Sequence, residues 1–166
     1  MSGHVRLGLA FAAGILALDQ ASKAYILYGI DLPSLPSIVV LPVFNLTFVP
    51  NTGVTFGLLT GGGGSGALVL AAVAVAVVVA LGIWLSRAET ALTAAALGAV
   101  AGGAIGNVID RLRLGWVVDF LDFHLGVWHW YVFNLADAAI VCGVAALLID
   151  GLRSRPKPGE QPARVP

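Results

Sequence analysis

Charge is scarce in this chain. Only 11% of its 166 residues are Asp, Glu, Lys or Arg, nine acidic against nine basic, where a soluble domain carries about 25%. That scarcity excludes a surface solvated by water over most of its area, and a net charge of zero argues against nucleic acid as a partner. Lys and Arg are missing altogether from residues 29–65. The single cysteine, Cys142, cannot form an intrachain disulfide. It lies deep in an apolar run and reads as a small core residue. No serine sits beside a plausible base, which leaves nucleophilic Ser or Cys chemistry without support.

What the chain has in quantity is hydrophobicity, 58% of residues with a mean hydropathy of +0.93. Four apolar runs approach the roughly 20 residues that span a bilayer, at about 5–28, 66–86, 91–109 and 134–152. Helices are expected, because hydrocarbon offers no partner for open backbone groups. The expected architecture is an all-α integral membrane protein, a four-helix bundle with a small extracytoplasmic β-containing loop region, forming one domain over residues 1–153. Loops 29–65 and 110–133 lie outside, and a Pro-rich charged tail, 154–166, is expected to be disordered. The first run lacks the proportions of a cleaved signal peptide and reads as a retained helix.

Lys/Arg bias sets the orientation. Arg6, Arg87, Arg153, Arg155, Lys157 and Arg164 gather on one side, and Arg111 and Arg113 alone on the other. Both termini are expected in the cytoplasm. On that topology the polar residues of three helices converge at the outer face: Asp19, Gln20 and Lys23 on the first, Asn107, Asp110 and Arg111 on the third, Asn134 and Asp137 on the fourth. In loop 29–65, Ile38–Pro50 suggests short strands interrupted by Pro42. Asn51-Thr52-Gly53 signals a turn. Phe56-Gly57-Leu58-Leu59 reads as an interfacial segment and residues 61–66 as a flexible tether. Trp116, Trp128, Trp130 and Tyr131 suit an aromatic belt.

Intramembrane carboxylates point to a functional site. Asp119 and Asp137 are 18 positions apart, about 27 Å on one helix, but the intervening loop lets the chain double back. Two adjacent carboxyls cannot both ionise, and such a pair can act as base and acid on one water molecule. Against this, Asp119 could simply solvate a loop, and Asp137 could serve a helix N-terminus whose cap is Asn134. Asp110 and Arg111 read as a structural or substrate-facing ion pair, and Asp19 with Lys23 as a neutralised buried pair. Asp122, His124 and His129 are close in sequence, but they match no zinc signature. No metal or other cofactor is expected.

Five blocks, in order, carry a resemblance to a known family: Leu18-Asp19-Gln20 with Lys23; Asn51-Thr52-Gly53 with Phe56-Gly57; Gly106-Asn107-Val108-Ile109-Asp110-Arg111; Val117-Val118-Asp119-Phe120; and Phe133-Asn134-Leu135-Ala136-Asp137. Over roughly residues 14–150 the chain resembles the lipoprotein signal peptidases, the type II bacterial signal peptidases. The resemblance implies an aspartic endopeptidase of the bacterial inner membrane that cleaves a prolipoprotein before its lipid-modified Cys. It implies Asp119 and Asp137 as the catalytic pair. Asn51 with Gly53, Asn107, Arg111 and Asn134 would line the site, supported by Asp19, Lys23 and Asp110. It further implies prolipoprotein substrates, membrane lipids and globomycin-type inhibitors as partners, and a monomer is expected. Val54-Thr55 and Ala138 depart from the family pattern without removing a catalytic group. A small ion- or proton-coupled transporter using Asp19, Asp110 and Asp137 is the alternative, although the polar groups do not continue to the inner face.

Overall fold

The computed structural model describes residues 1–53 and 65–153. Helix α1 (Gly3–Ala24) opens on Ser2, whose hydroxyl accepts from the Val5 amide, and runs into one turn of π-helix, Tyr25–Gly29. Helix α2 spans Ser65–Leu85, α3 Ala91–Leu114 and α4 Leu135–Arg153. All four are long and apolar enough to cross a membrane. Helix α3 outlasts its expected end at residue 109 by more than a turn. Arg111 and Arg113 sit in its last turn, where cations favour the negative end of the helix dipole. Gly115, at φ 82°, then closes it with an N–H to the Arg111 carbonyl, the left-handed cap that glycine adopts without strain.

Helix α3 is the centre of the bundle, with α1, α2 and α4 packed around it. Its glycines make this possible. A Cβ on Gly98 would run into the Gly8 carbonyl, and one on Gly102 would stand 2.5 Å from the Ala12 carbonyl oxygen. Small residues let backbones approach where lipid supplies no hydrophobic drive for helix association. The outer helices leave much of their circumference open, which corrects the expectation for Cys142: it is exposed on α4, not in the core.

The expected β-containing loop region is an antiparallel sheet that crowns the bundle, so the label all-α is not exact. Its order is β1 (Ile38–Leu41), β2 (Phe44–Asn51), β3 (Val117–Leu125), β4 (Trp128–His129). Pro42 falls in the β1–β2 turn, as its missing N–H requires. Strand β3 is central, and Val118 and Phe120 on one of its faces pack with Ile26 and Leu32. Trp116 joins this small core edge-on to Phe48, with ring centroids 5.4 Å apart. It therefore leaves the expected aromatic belt, while Trp128, Trp130 and Tyr131 stay exposed. Val54-Thr55, the Phe56-Gly57-Leu58-Leu59 segment, most of the glycine tether and the tail from residue 154 lie outside the described residues.

Candidate active site

The catalytic candidates are brought together by backbone pairing. Asp119 faces Val49 in the β2–β3 register, so Asn51, two residues on, shares its side of the strand. On the other flank, Phe120 and Leu121 donate to the Phe133 carbonyl at 3.0 and 2.8 Å, and Phe133 donates back to Leu121 at 3.1 Å. Phe133 directly precedes Asn134. The bridge thus lays the strand that carries Asp119 against the start of α4.

There Asn134 and Asp137 form a reciprocal capping box. The Asp137 amide donates to Asn134 Oδ1 at 3.0 Å, and the Asn134 amide donates to Asp137 Oδ2 at 3.3 Å. The capping role expected for Asn134 is present, but its side chain does more. Fully buried, it also donates from Nδ2 to Asp119 Oδ1 at 2.7 Å and to Asn107 Oδ1 at 3.2 Å. Asn107 in turn donates from Nδ2 to Asp137 Oδ1 at 2.9 Å. Asn51 Nδ2 reaches Asp119 Oδ2 at 2.8 Å, while its own Oδ1 accepts from the Gly53 amide at 2.8 Å. That turn needs Gly53 at φ 76°, and a Cβ there would strike the Leu70 side chain.

Beneath these amides lies a buried ionic layer. Lys23 Nζ meets Asp19 Oδ2 at 2.9 Å, Asp110 Oδ2 at 2.8 Å and Asn107 Oδ1 at 3.0 Å, using all three of its donors. The expected Asp19–Lys23 pair is present, and Asp19 Oδ1 also takes the Ala136 amide at 3.1 Å. Asp110 is a correction: its charge partner is Lys23 rather than Arg111, and it accepts from Gln20 at 3.1 Å and the Val118 amide at 3.2 Å. Arg111 lies within the charge field of Asp137, Asp119 and Asp110, and its Nη1 donates to the Asn107 carbonyl at 3.4 Å. In the sequence Gln20 stands as a polar group of the first helix and in the Leu18-Asp19-Gln20 block, with no partner of its own assigned. It bridges Asp19, Asp110 and the Gly106 carbonyl. Its position next to Asp19 and one turn from Lys23 was the available signal.

Asp119 is almost fully buried, yet it lines a cleft of about 500 Å³ walled by residues 49–53 and 129–132. Burial raises its pKa from 3.8 to about 6; the hydrogen bond from Asn51 works against this, and the neighbouring charge of Asp137 adds to it. Asp122 behaves oppositely. Burial pushes its pKa up, but His129 at 2.8 Å and Thr47 at 2.9 Å outweigh that and hold it low. His129 thus pairs with Asp122 and stacks on His124, centroids 4.9 Å apart. Among the described residues, no three His, Cys, Asp or Glu side chains converge as metal ligands do.

The arrangement therefore offers two carboxyls tied to one asparagine, an adjacent guanidinium and an open cleft. Comparisons with known proteins bear on what it does. A family model described as signal peptidase (SPase) II matches residues 11–153. A lipoprotein signal peptidase of Rhodopseudomonas palustris (strain TIE-1) is 46% identical over 156 residues, 92% of this chain and 95% of the relative. One of Methylorubrum extorquens (strain PA1) is 47% identical over 152 residues, 92% and 89% of the two chains. A solved structure described as a bacterial membrane enzyme, obtained by the in meso method at 2.3 Å resolution, superposes with a TM-score of 0.77. It is 25% identical and covers 95% of this chain and 94% of its own.

Proposed function

The chain belongs to the signal peptidase II family, and from that membership we propose that it removes the signal peptide from prolipoproteins, with Asp119 and Asp137 as the catalytic pair. It is a protease in a multi-pass membrane fold, and the transporter alternative has no support among its relatives. The substrate is a diacylglyceryl-modified precursor, cut on the N-terminal side of the lipidated Cys. The protein sits in the cytoplasmic membrane with both termini inside and the cleft at the outer face, an orientation supported by the Lys/Arg distribution of its flanks.

Asn134 carries this reading. Its side chain donates to Asp119 Oδ1 at 2.7 Å and its backbone N–H to Asp137 Oδ2 at 3.3 Å, so the two carboxyls hold a fixed relation across a single asparagine. One of the pair is ionised and takes a proton from water as the water oxygen attacks the scissile carbonyl carbon. The other, protonated, gives its proton to the carbonyl oxygen. The tetrahedral diol then collapses: the newly protonated carboxyl gives its proton to the departing nitrogen as the C–N bond breaks, and the other carboxylate takes the proton of a diol hydroxyl as the carbonyl re-forms, which returns the pair to its one-proton state. The products are a new carboxyl terminus on the signal peptide and a free amine on the lipidated Cys. Arg111, in the field of both carboxyls, can hold a substrate carbonyl. Asn51 holds Asp119 from the cleft side. No step requires a metal or a covalent intermediate.

The test is cleavage of a diacylated lipobox peptide by the reconstituted protein. Asp119→Asn and Asp137→Asn should each slow it by about 10³-fold or more while the circular dichroism spectrum stays helical. Globomycin should block the wild type, and EDTA should leave its rate unchanged. An Asp137→Asn protein cleaving at the wild-type rate would remove that residue from the mechanism.

A further inference from the structure

The sheet carries an apolar surface that the reaction does not use. Its β1–β2 and β3–β4 turns lie side by side, because Phe44 pairs with Phe123 and the His124 amide donates to the Val43 carbonyl at 3.0 Å. The two ends expose Leu41 at 54%, Leu125 at 74%, Trp128 at 61% and Val127 completely. Between them runs a shallow groove of about 230 Å³ lined, besides His124, by Val43, Phe123, Leu125, Trp128 and Trp130. Residues 38–50 and 123–133 contain no Asp, Glu, Lys or Arg. A contiguous apolar patch of this kind marks an interaction surface.

We infer that the two turns of the sheet are set into the outer lipid leaflet as a second membrane anchor, separate from the four helices. The choice of lipid over a protein partner rests on continuity. Strand β3 starts three residues after α3 ends, and Phe133 stands two residues before α4, so the sheet grows directly from the ends of apolar spans. Tyr25 and Tyr28 at the end of the first span, and Tyr131 beside the sheet, are exposed as well. Tyr and Trp favour the level of the headgroups, and valine and leucine the acyl boundary beneath. The Trp128 and Trp130 rings brace each other edge to face at 5.6 Å. Trp130 also lines the cleft that holds Asp119. Lipid immersion of the turns therefore sets the depth of the cleft, and the diacylglyceryl group of a precursor occupies that same depth. Only the choice of leaflet and this last consequence rest on the proposed function.

Two measurements test the anchor. A nitroxide on Val127→Cys in a Cys142→Ala background, in proteoliposomes, should be relaxed more by oxygen than by a water-soluble nickel chelate, and the same should hold at Leu41→Cys. Stronger relaxation by the aqueous reagent overturns the proposal. So does label-to-label dipolar broadening, which would show a second copy on the patch. Separately, Leu125→Asp combined with Val127→Asp should slow processing of a full-length precursor embedded in the bilayer by about tenfold. Cleavage of a short diacylated peptide in detergent should change less than about twofold, as expected if the anchor acts through the bilayer. Equal loss in both assays, or loss in neither, overturns the anchor. The label depth does not depend on which residues cut the peptide, and the Asp119→Asn and Asp137→Asn proteins test that question on their own.

Discussion

Asn134 illustrates how much one amide can specify. Its oxygen must face the Asp137 N–H and its nitrogen the Asp119 and Asn107 oxygens, so neither end can turn without losing buried bonds. The orientation of Asn107 depends in the same way on Lys23, whose ammonium holds Asn107 Oδ1 at 3.0 Å and leaves Nδ2 for Asp137 at 2.9 Å. Lys23→Met would strand Asp19 and Asp110 as uncompensated buried charges, at a cost of about 3–5 kcal/mol. The melting temperature of that variant in detergent should fall sharply. Lys23→Met with Asp110→Asn should melt above the single mutant, because the second change removes a charge the first left unpaired.

The raised pKa of Asp119 gives a pH dependence of definite sign. Between 3.8 and about 6 the native carboxyl keeps its proton while the unfolded one has lost it. The stabilisation is therefore complete below pH 3.8 and is lost as pH rises through about 6. Thermal melts in detergent should show this fall in the wild type, and Asp119→Asn should flatten it. In the proposed mechanism one proton is shared by Asp119 and Asp137, so the rate should decline on the alkaline side as that proton is lost. A rate that kept rising with pH would place the proton elsewhere.

Among the elements, α3 shows where sequence reasoning stops. Its glycines admit a neighbouring backbone, and Gly98 lies against the Gly8 carbonyl. Gly98→Ala should thus destabilise the protein by about 1–3 kcal/mol, since backbone cannot move aside as a side chain can. Gly82→Ala on α2 meets nothing within 4 Å and should leave the protein unchanged or slightly more stable. Detergent melts of the pair check the contrast. The end of α3 was placed too early because Asp110, Arg111 and Arg113 looked like an exit from the bilayer. Asp110 is instead neutralised by Lys23, and the arginines serve the helix terminus. Strand β3 was read as loop for a related reason. Val117–Leu125 alternates poorly, with Val117 through Phe120 all buried, so period-two patterning was hidden by burial on both faces.

For the molecule as a whole, four spans, the Lys/Arg asymmetry and the gathering of Asp19, Asn107, Asp110, Arg111, Asn134 and Asp137 toward one end were legible in the primary structure. Each follows from the cost of placing charge in hydrocarbon, which acts on a segment regardless of its neighbours. Partner choice was not legible in that way. That Lys23 takes Asp110 from Arg111, that Gln20 spans two helices, that Asn134 joins Asp119 to the first turn of α4, and that Cys142 faces outward all depend on separations of a few ångströms between distant residues. Hydrogen bonds and ion pairs fall off steeply over such distances. They are settled by how closely α3 admits its neighbours and by the backbone bridge from Leu121 to Phe133, and no local pattern of residues encodes either.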